Sequence, residues 1–201
     1  MILDALKSIQ KPTDLAEKKD LKVTRRDVLQ MGTAGLVSMV TPLLAGKAAQ
    51  AASPKMWQVS FRQAHTGESF SGVYRVGDQY LPDVFERLNY MLRDFRTGEA
   101  FPMDPRVIDV LSMVQQGTGK DTPLEILSGY RTPKTNAMLY RVSEGVARNS
   151  YHMYGQAIDI RMPGYNTKKL SQVARGLRAG GVGYYPKSHF VHVDTGEIRS
   201  W

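Results

Sequence analysis

The chain has 201 residues, of which 42% are apolar, and this length and composition fit one globular domain with a core of its own. The formal net charge is +8, which suits contact with anionic polymers in general, whether nucleic acid, a membrane surface or a cell-wall polyanion. The lack of cysteine excludes disulfides, thiolate nucleophiles and Cys-rich zinc sites, so a strong metal site would have to use His, Asp or Glu.

Residues 1–51 are predicted to be an export signal. The pair Arg25-Arg26 precedes an uncharged stretch over residues 31–46, which is too short and too rich in Gly, Ser and Thr to predict a membrane span. The small residues that a signal peptidase accepts then precede Ala52. This order resembles a twin-arginine signal, so we expect the twin-arginine translocase as a partner during export. A membrane-anchoring or surface helix is the alternative.

Cleavage of this signal would leave a periplasmic domain of residues 52–201 with no stable membrane span. Residues 1–51 contain 8 of the 27 basic and 5 of the 19 acidic residues, so the remaining domain keeps 19 and 14, a net charge of +5. The basic character therefore belongs partly to the domain itself, where it suits an anionic polymer.

The first predicted elements of this domain are a hairpin and a helix. Apolar residues alternate on both sides of the HTGE turn at residues 65–68, which predicts two strands. From Leu81 the apolar residues recur at three- and four-residue steps, which predicts a helix that ends near Gly98.

Later elements complete an α+β pattern. Asp104 offers an N-cap for a second helix, and the apolar run over residues 124–133 predicts a buried strand that delivers Arg131 to its end. A third helix is predicted from Asn166 to the glycines at 180 and 181. We therefore expect the α+β class, with a small antiparallel sheet packed against helices.

A histidine and an aspartate lie on either side of a glycine in the segment NSYHMYGQAID. Over residues 156–162 the pattern alternates, so Asp159 faces away from the two isoleucines that flank it. His152 lies upstream, and Gly155 permits a tight bend that can fold the imidazole back toward Asp159.

A second strand-like segment, residues 187–196, places His192 and Asp194 on one face. Two imidazoles and one carboxylate, with a fourth position left to water, are the composition of a catalytic zinc site. The spacing therefore selects His152, Asp159 and His192 as candidate metal ligands.

His189 does not fit the same alternation, because strict alternation would place it opposite His192. A turn at residues 186–188 could break the register and bring His189 in from the loop. In that position it would be a candidate general base or a stabiliser of developing negative charge. An ordinary surface or core histidine is the alternative.

A family resemblance rests on these residues. Ser150-x-His152-x-x-Gly155-x-Ala157-x-Asp159 matches the SxHxxGxAxD signature of the D-Ala-D-Ala carboxypeptidase and dipeptidase family of zinc peptidases. Six longer segments occur in the order HTGE, LRDFRTGE, SGYRTPKTN, GVARNSYHMYGQAIDIRMPG, GGVGYYP and FVHVDTG. Together they resemble the exported YcbK-like (murein endopeptidase K) branch of that superfamily, over essentially all of residues 52–201.

The resemblance implies a hedgehog/DD-peptidase-like fold and a set of roles. By it, His152, Asp159 and His192 are Zn2+ ligands, and Arg131 stabilises the negative charge of the tetrahedral intermediate. A structural ion pair is the alternative for Arg131. His189 stands where the dipeptidases carry a catalytic glutamate, which leaves the identity of the base open.

With export, the resemblance implies a zinc-dependent murein endopeptidase that hydrolyses amide cross-links between peptidoglycan stem peptides in the periplasm. Its partner would be peptidoglycan and not nucleic acid. The alternatives are a D,D-carboxypeptidase or dipeptidase that trims stem peptides, and a non-catalytic cell-wall binding module.

Three further residues are candidates for substrate binding: Ser150, Tyr154 and Asp194. Tyr154 belongs to a group of tyrosines near the motifs, which could line a groove or simply pack. Asp194 could orient a ligand, position substrate or make a structural hydrogen bond. His65 in HTGE is expected to stabilise a turn.

Overall fold

The computed structural model describes residues 53–143 and 145–201, so the predicted export signal and its cleavage site lie outside the described residues. The helices are α1 Pro82–Met91, α2 Pro105–Gly117, α3 Pro133–Val142, the short 3-10 helix Tyr151–Tyr154, and α4 Thr167–Gly176. The strands are β1 Met56–Gln63, β2 Ser69–Val76, β3 Gln79–Tyr80, β4 Leu124–Ser128, β5 Ala157–Arg161, β6 Gly181–Tyr185, β7 Phe190–Asp194 and β8 Arg199–Ser200. Within those ranges, no helix combines the length and the apolar character that crossing a membrane requires.

The described strands form one sheet in the order β3-β2-β1-β4-β5-β7-β6-β8. The α+β class is confirmed, but the sheet is larger than a small antiparallel one and is mixed. The pairs β1/β4 and β6/β8 are parallel, and the other pairs are antiparallel. Between β2 and β4 the chain passes through α1 and α2, a crossover long enough to bring β4 back parallel to β1.

The core lies between the sheet and the helices packed on it. α2 packs against β1 and against α4, and α4 packs against β6 and β7. Phe61, Leu111, Ile126 and Ile158 have no exposed surface. Burial of this apolar surface is the main stabilising term for such a layered arrangement, and it fixes the strands β4, β5 and β7 next to one another.

The first helix ends earlier than predicted, at Met91 instead of near Gly98. The carbonyl oxygen of Leu92 accepts a hydrogen bond from Tyr130 N at 2.8 Å. Asp94 then accepts hydrogen bonds from the backbone N and the Oγ1 of Thr132, each at 2.9 Å. These contacts with the segment between β4 and α3 turn the chain out of the helix. The local apolar period does not contain that information.

Two other helix starts agree with the sequence patterns, and one helix was not predicted. The Asp104 side chain accepts from Arg106 N at the start of α2, and Asn166 accepts from Lys169 N before α4, both at 3.0 Å. The sequence patterns predicted no element for the residues of α3. Thr132 caps it, accepting from Thr135 N at 3.1 Å.

Candidate metal centre

Two neighbouring strands carry two of the candidate ligands. β5 and β7 pair antiparallel, and their register places Asp159 directly opposite His192. Side chains directly opposite in such a pair lie on the same face of the sheet. His192 Nδ1 lies 2.9 Å from Asp159 Oδ1. The strand alternation predicted for Asp159 and His192 is therefore present in the structure, and it places both side chains on one face of the sheet.

A short 3-10 helix carries the third candidate ligand, His152. Ser150 caps this helix by accepting a hydrogen bond from His152 N at 3.4 Å, and Gly155 ends it with φ +66°. A Cβ on Gly155 would lie 2.4 Å from the carbonyl oxygen of Pro102, so the bend requires glycine for space as well as for its backbone angle. The bend returns the imidazole to the sheet.

The three side chains converge on one point. His152 Nε2 lies 3.2 Å from both Asp159 Oδ1 and His192 Nδ1. One ligand atom from each of the three residues lies within 4.8 Å of the others, and all three residues are buried. The structure thus brings together the set that the sequence pattern selected.

In each imidazole, the nitrogen that points away from Asp159 has a hydrogen-bond acceptor. This acceptor determines which nitrogen of the neutral ring carries the proton. His152 Nδ1 lies 2.7 Å from the carbonyl oxygen of Gly129, and His192 Nε2 lies 3.0 Å from Asp194 Oδ2. A carbonyl and a carboxylate oxygen only accept, so these nitrogens carry the protons. When the imidazoles are neutral, as metal binding requires, His152 Nε2 and His192 Nδ1 are left with lone pairs aimed toward Asp159.

This donor set fits a metal ion. Two lone pairs and a carboxylate that face one another repel unless a cation lies between them, and two His with one carboxylate are typical ligands of catalytic zinc. The hydrogen bonds of His152 and His192 to Gly129 and Asp194 are the outer contacts that orient metal-binding histidines.

Burial and charge give the three groups different proton affinities. Burial lowers the pKa of His152 to about 4, so this ring is neutral at neutral pH. Burial acts to raise the pKa of Asp159, but its interactions with the neighbouring His152 imidazole and the charged Arg131 outweigh burial and hold this pKa well below its ordinary value. Burial likewise opposes charging of His192, and hydrogen bonds to Asp159 and Asp194 nevertheless raise its pKa.

Arg131 joins the same cluster from the end of β4. Its Nε donates to Ser128 Oγ at 2.7 Å, and its NH2 group forms an ion pair with Asp159 Oδ2. The side chain is 11% exposed and lines the cavity beside the ligands. Arg131 thus makes a structural ion pair and at the same time lies on the cavity wall.

A cavity of about 350 Å³ opens over the three candidate ligands. Its wall includes Tyr185 and Phe190, whose rings stack with centroids 4.4 Å apart, and Trp201, whose ring lies 5.5 Å from that of His192. Trp201 Nε1 donates to the hydroxyl of Tyr185 at 2.9 Å. The sequence patterns did not select Trp201, because its place depends on β8 pairing beside β6.

Of the three residues predicted to bind substrate, only one lines this cavity. Ser150 lines it, but its hydroxyl caps the helix that carries His152. Tyr154 is 56% exposed and does not line the cavity. Asp194 has no exposed side-chain surface, binds His192 and Arg199, and does not line the cavity, so it orients a candidate ligand and has no surface for substrate.

His189 lies in the turn between β6 and β7, exposed to solvent, with φ 53°. The structure does not place it among the residues that line the cavity, whereas its neighbours Ser188 and Phe190 do line it. His189 precedes β7 and therefore lies outside the strand alternation, as the sequence pattern allowed, but its imidazole does not enter the cavity beside the three candidate ligands.

Comparisons with known proteins agree with this geometry. The sequence model of a family described as "Peptidoglycan L,D-endopeptidase MepK" matches residues 50–201. The probable peptidoglycan L,D-endopeptidase MepK of Haemophilus influenzae is 42% identical over 154 residues, which cover 76% of this chain and 83% of that protein. The peptidoglycan L,D-endopeptidase MepK of Escherichia coli strain K12 is 37% identical over 177 residues, which cover 88% of this chain and 96% of that protein.

Proposed function

This chain belongs to the MepK family of peptidoglycan L,D-endopeptidases, and on that premise we propose that it hydrolyses amide cross-links between peptidoglycan stem peptides with a zinc ion held by His152, Asp159 and His192. One observation carries the proposal: two imidazole lone pairs and one carboxylate converge beneath an open cavity. A structural zinc site closes its coordination with four protein ligands, whereas a catalytic site leaves a position open.

The protein groups around the site have separate roles in the proposed reaction. Zinc, when bound, supplies a Lewis acid for a carbonyl oxygen and acidifies water. Gly129 and Asp194 hold the two imidazoles in the tautomers that present lone pairs. Arg131 faces the cavity with a guanidinium that stays charged at any relevant pH, so it stabilises negative charge as it develops on the carbonyl oxygen.

We assign the proton transfer to His189. Two facts support this assignment: the residue lies between Ser188 and Phe190, which both line the cavity, and its imidazole is in contact with solvent. Catalytic hydrogen bonds are often long or poorly aligned until substrate binds, so a general base need not line the cavity of the free protein.

The proposal includes a location in the cell envelope. Peptidoglycan lies outside the inner membrane, so an enzyme that acts on it has to be exported. The Arg25-Arg26 pair and the uncharged stretch at residues 31–46 support export by the twin-arginine route into the periplasm, with residues 52–201 as the exported domain. A net charge of +5 over that domain supports attraction to an anionic polymer.

The test is product analysis with purified cross-linked muropeptide dimers, one set joined by an L,D amide and the other by a D,D amide. The zinc-loaded protein should convert the L,D-linked dimers to monomers, which mass spectrometry detects directly. His192→Ala is the matched inactive control. Dimers that stay cross-linked but become shorter would indicate a carboxypeptidase, and dimers that are bound but unchanged would indicate a binding module.

A further inference from the structure

One cation on the cavity wall has no role in the proposed reaction. Arg96 lines the same cavity as Arg131 and the three ligands. Burial and the positive charge of Arg131 both lower the pKa of Arg96, while Asp94 acts in the opposite direction. The guanidinium groups of Arg96 and Arg131 thus line one cavity and act on each other electrostatically.

The Arg96 guanidinium is held in place by a stack of rings. It lies over the ring of Phe95, 4.1 Å from the centroid, and Phe95 in turn stacks on His65 with centroids 3.8 Å apart and an interplanar angle of 12°. A cation over an aromatic face is stabilised by the ring quadrupole. Arg96 is exposed and lines the cavity, so its guanidinium is accessible to a ligand, and its contact with Phe95 leaves it less freedom to lose on binding.

Within residues 53–143 and 145–201, no acidic side chain forms an ion pair with Arg96. Asp94, the acidic group that acts on Arg96, already accepts hydrogen bonds from Arg96 N and from Thr132. The other arginines of the cavity differ in this respect, since Arg131 pairs with Asp159 and Arg199 pairs with Asp194.

We propose that Arg96, held by Phe95 and His65, forms a carboxylate subsite that binds a free carboxylate of the stem peptide next to the scissile amide. This inference rests on the proposed endopeptidase function and adds what the enzyme recognises beside the bond it cuts. A guanidinium fork matches a carboxylate with two parallel hydrogen bonds, which gives both affinity and orientation.

The position of the subsite assigns the carboxylate to the residue joined through the scissile amide. Arg96 and Arg131 line one cavity, and Arg131 contacts Asp159 at the metal centre. A ligand group on Arg96 is therefore a near neighbour of the carbonyl that Arg131 faces. The subsite would favour substrates whose carboxylate is free over those in which the same group is a carboxamide.

The test uses two non-cleavable peptides in which a ketomethylene group replaces the L,D amide. They differ only in the group on the neighbouring D-residue, which is a carboxylate in one and a carboxamide in the other. Calorimetry with the zinc-loaded full chain should show tighter binding of the carboxylate peptide by about 10-fold, the effect of roughly 1.4 kcal/mol. Arg96→Gln should remove this preference by weakening the carboxylate peptide alone.

Arg87→Gln is the matched control, because Arg87 is an exposed arginine outside the cavity and its loss changes the net charge equally. It should keep the preference, and zinc content should be the same in all three proteins. Equal binding of the two peptides by the unmodified protein would overturn the subsite, as would equal weakening of both by Arg96→Gln. Because binding is measured without turnover, a failure of the proposed activity would show separately, as uncut dimers.

Discussion

Nε2 of His192 lies 3.0 Å from Oδ2 of Asp194, and this contact decides which nitrogen of the ring faces the candidate metal centre. The carboxylate of Asp194 is itself held by the Arg199 guanidinium at 2.8 Å and by Gly181 N at 3.0 Å. The partners of Asp194 therefore fix the orientation of a metal ligand from behind. Such outer contacts raise the basicity of the ligand nitrogen as well as aligning it.

Replacing Asp194 by Asn should weaken zinc binding without removing a ligand. Loss of an outer carboxylate partner typically lowers metal affinity by about 10- to 100-fold. Competition with a zinc chelator measures this directly. Asp121→Asn, on an exposed aspartate, is the control for the loss of one charge. Unchanged zinc affinity in Asp194→Asn would show that Asp194 does not support His192.

His189→Ala and His192→Ala should separate the base from a ligand. His192→Ala should lose zinc and activity together, since it removes one of three donors. His189→Ala should keep one zinc per chain and lose about 100- to 10,000-fold in kcat, the usual effect of removing a general base. Metal analysis and steady-state assays on both proteins check this. If the two variants lose zinc equally, His189 is a ligand, and if His189→Ala keeps full activity, another group is the base.

Gly155→Ala should damage the site through the backbone. Both Gly155 and Gly164 have positive φ, but only Gly155 lacks space for a Cβ. Gly164→Ala should therefore lower the free energy of unfolding by only about 1–2 kcal/mol, which is the cost of placing a residue with a Cβ in left-handed backbone. Gly155→Ala should lose more than that and also bind zinc more weakly, because it displaces His152. Urea unfolding and zinc titration of the pair make the comparison, and equal losses would contradict the steric explanation.

Asp94 should contribute stability that disappears at low pH. Burial acts to raise its pKa, but hydrogen bonds from Thr135, Thr132 and Arg96 outweigh this and place the pKa below its ordinary value of 3.8. A carboxyl group with a depressed folded-state pKa stabilises the fold fully above its unfolded-state pKa and loses that effect as the pH falls through the folded-state value.

Asp94→Asn should therefore lower the free energy of unfolding at pH 6 by about 1–3 kcal/mol, and this difference from the unmodified protein should shrink toward pH 3. Urea unfolding at the two pH values measures the difference. The same measurement on Asp121→Asn provides the reference for an exposed carboxylate. A difference that stays constant between pH 6 and pH 3 would contradict the assigned role.

The sequence predicted the parts of the site that depend on local pattern. Asp159 and His192 could be placed because strand alternation is a two-residue period, and their pairing across β5 and β7 follows once both faces are known. The return of His152 could be anticipated from Gly155, which is needed where the bend approaches Pro102.

The parts that depend on distant contacts could not be predicted in the same way. α1 ends where Leu92 meets Tyr130, and no local period records that contact. The parallel pairing of β1 with β4 depends on the path of the chain through two helices. The stack of His65, Phe95 and Arg96 joins two segments that only the folded chain brings together.

The most direct test of the account is a zinc titration of metal-free protein followed by cleavage of L,D-linked muropeptide dimers. If His152, Asp159 and His192 hold the catalytic metal, activity should rise in proportion to added zinc and stop rising at one zinc per chain. His192→Ala should stay inactive throughout. Full cleavage by the metal-free protein, or activity that follows zinc equally well in His192→Ala, would contradict the central claim.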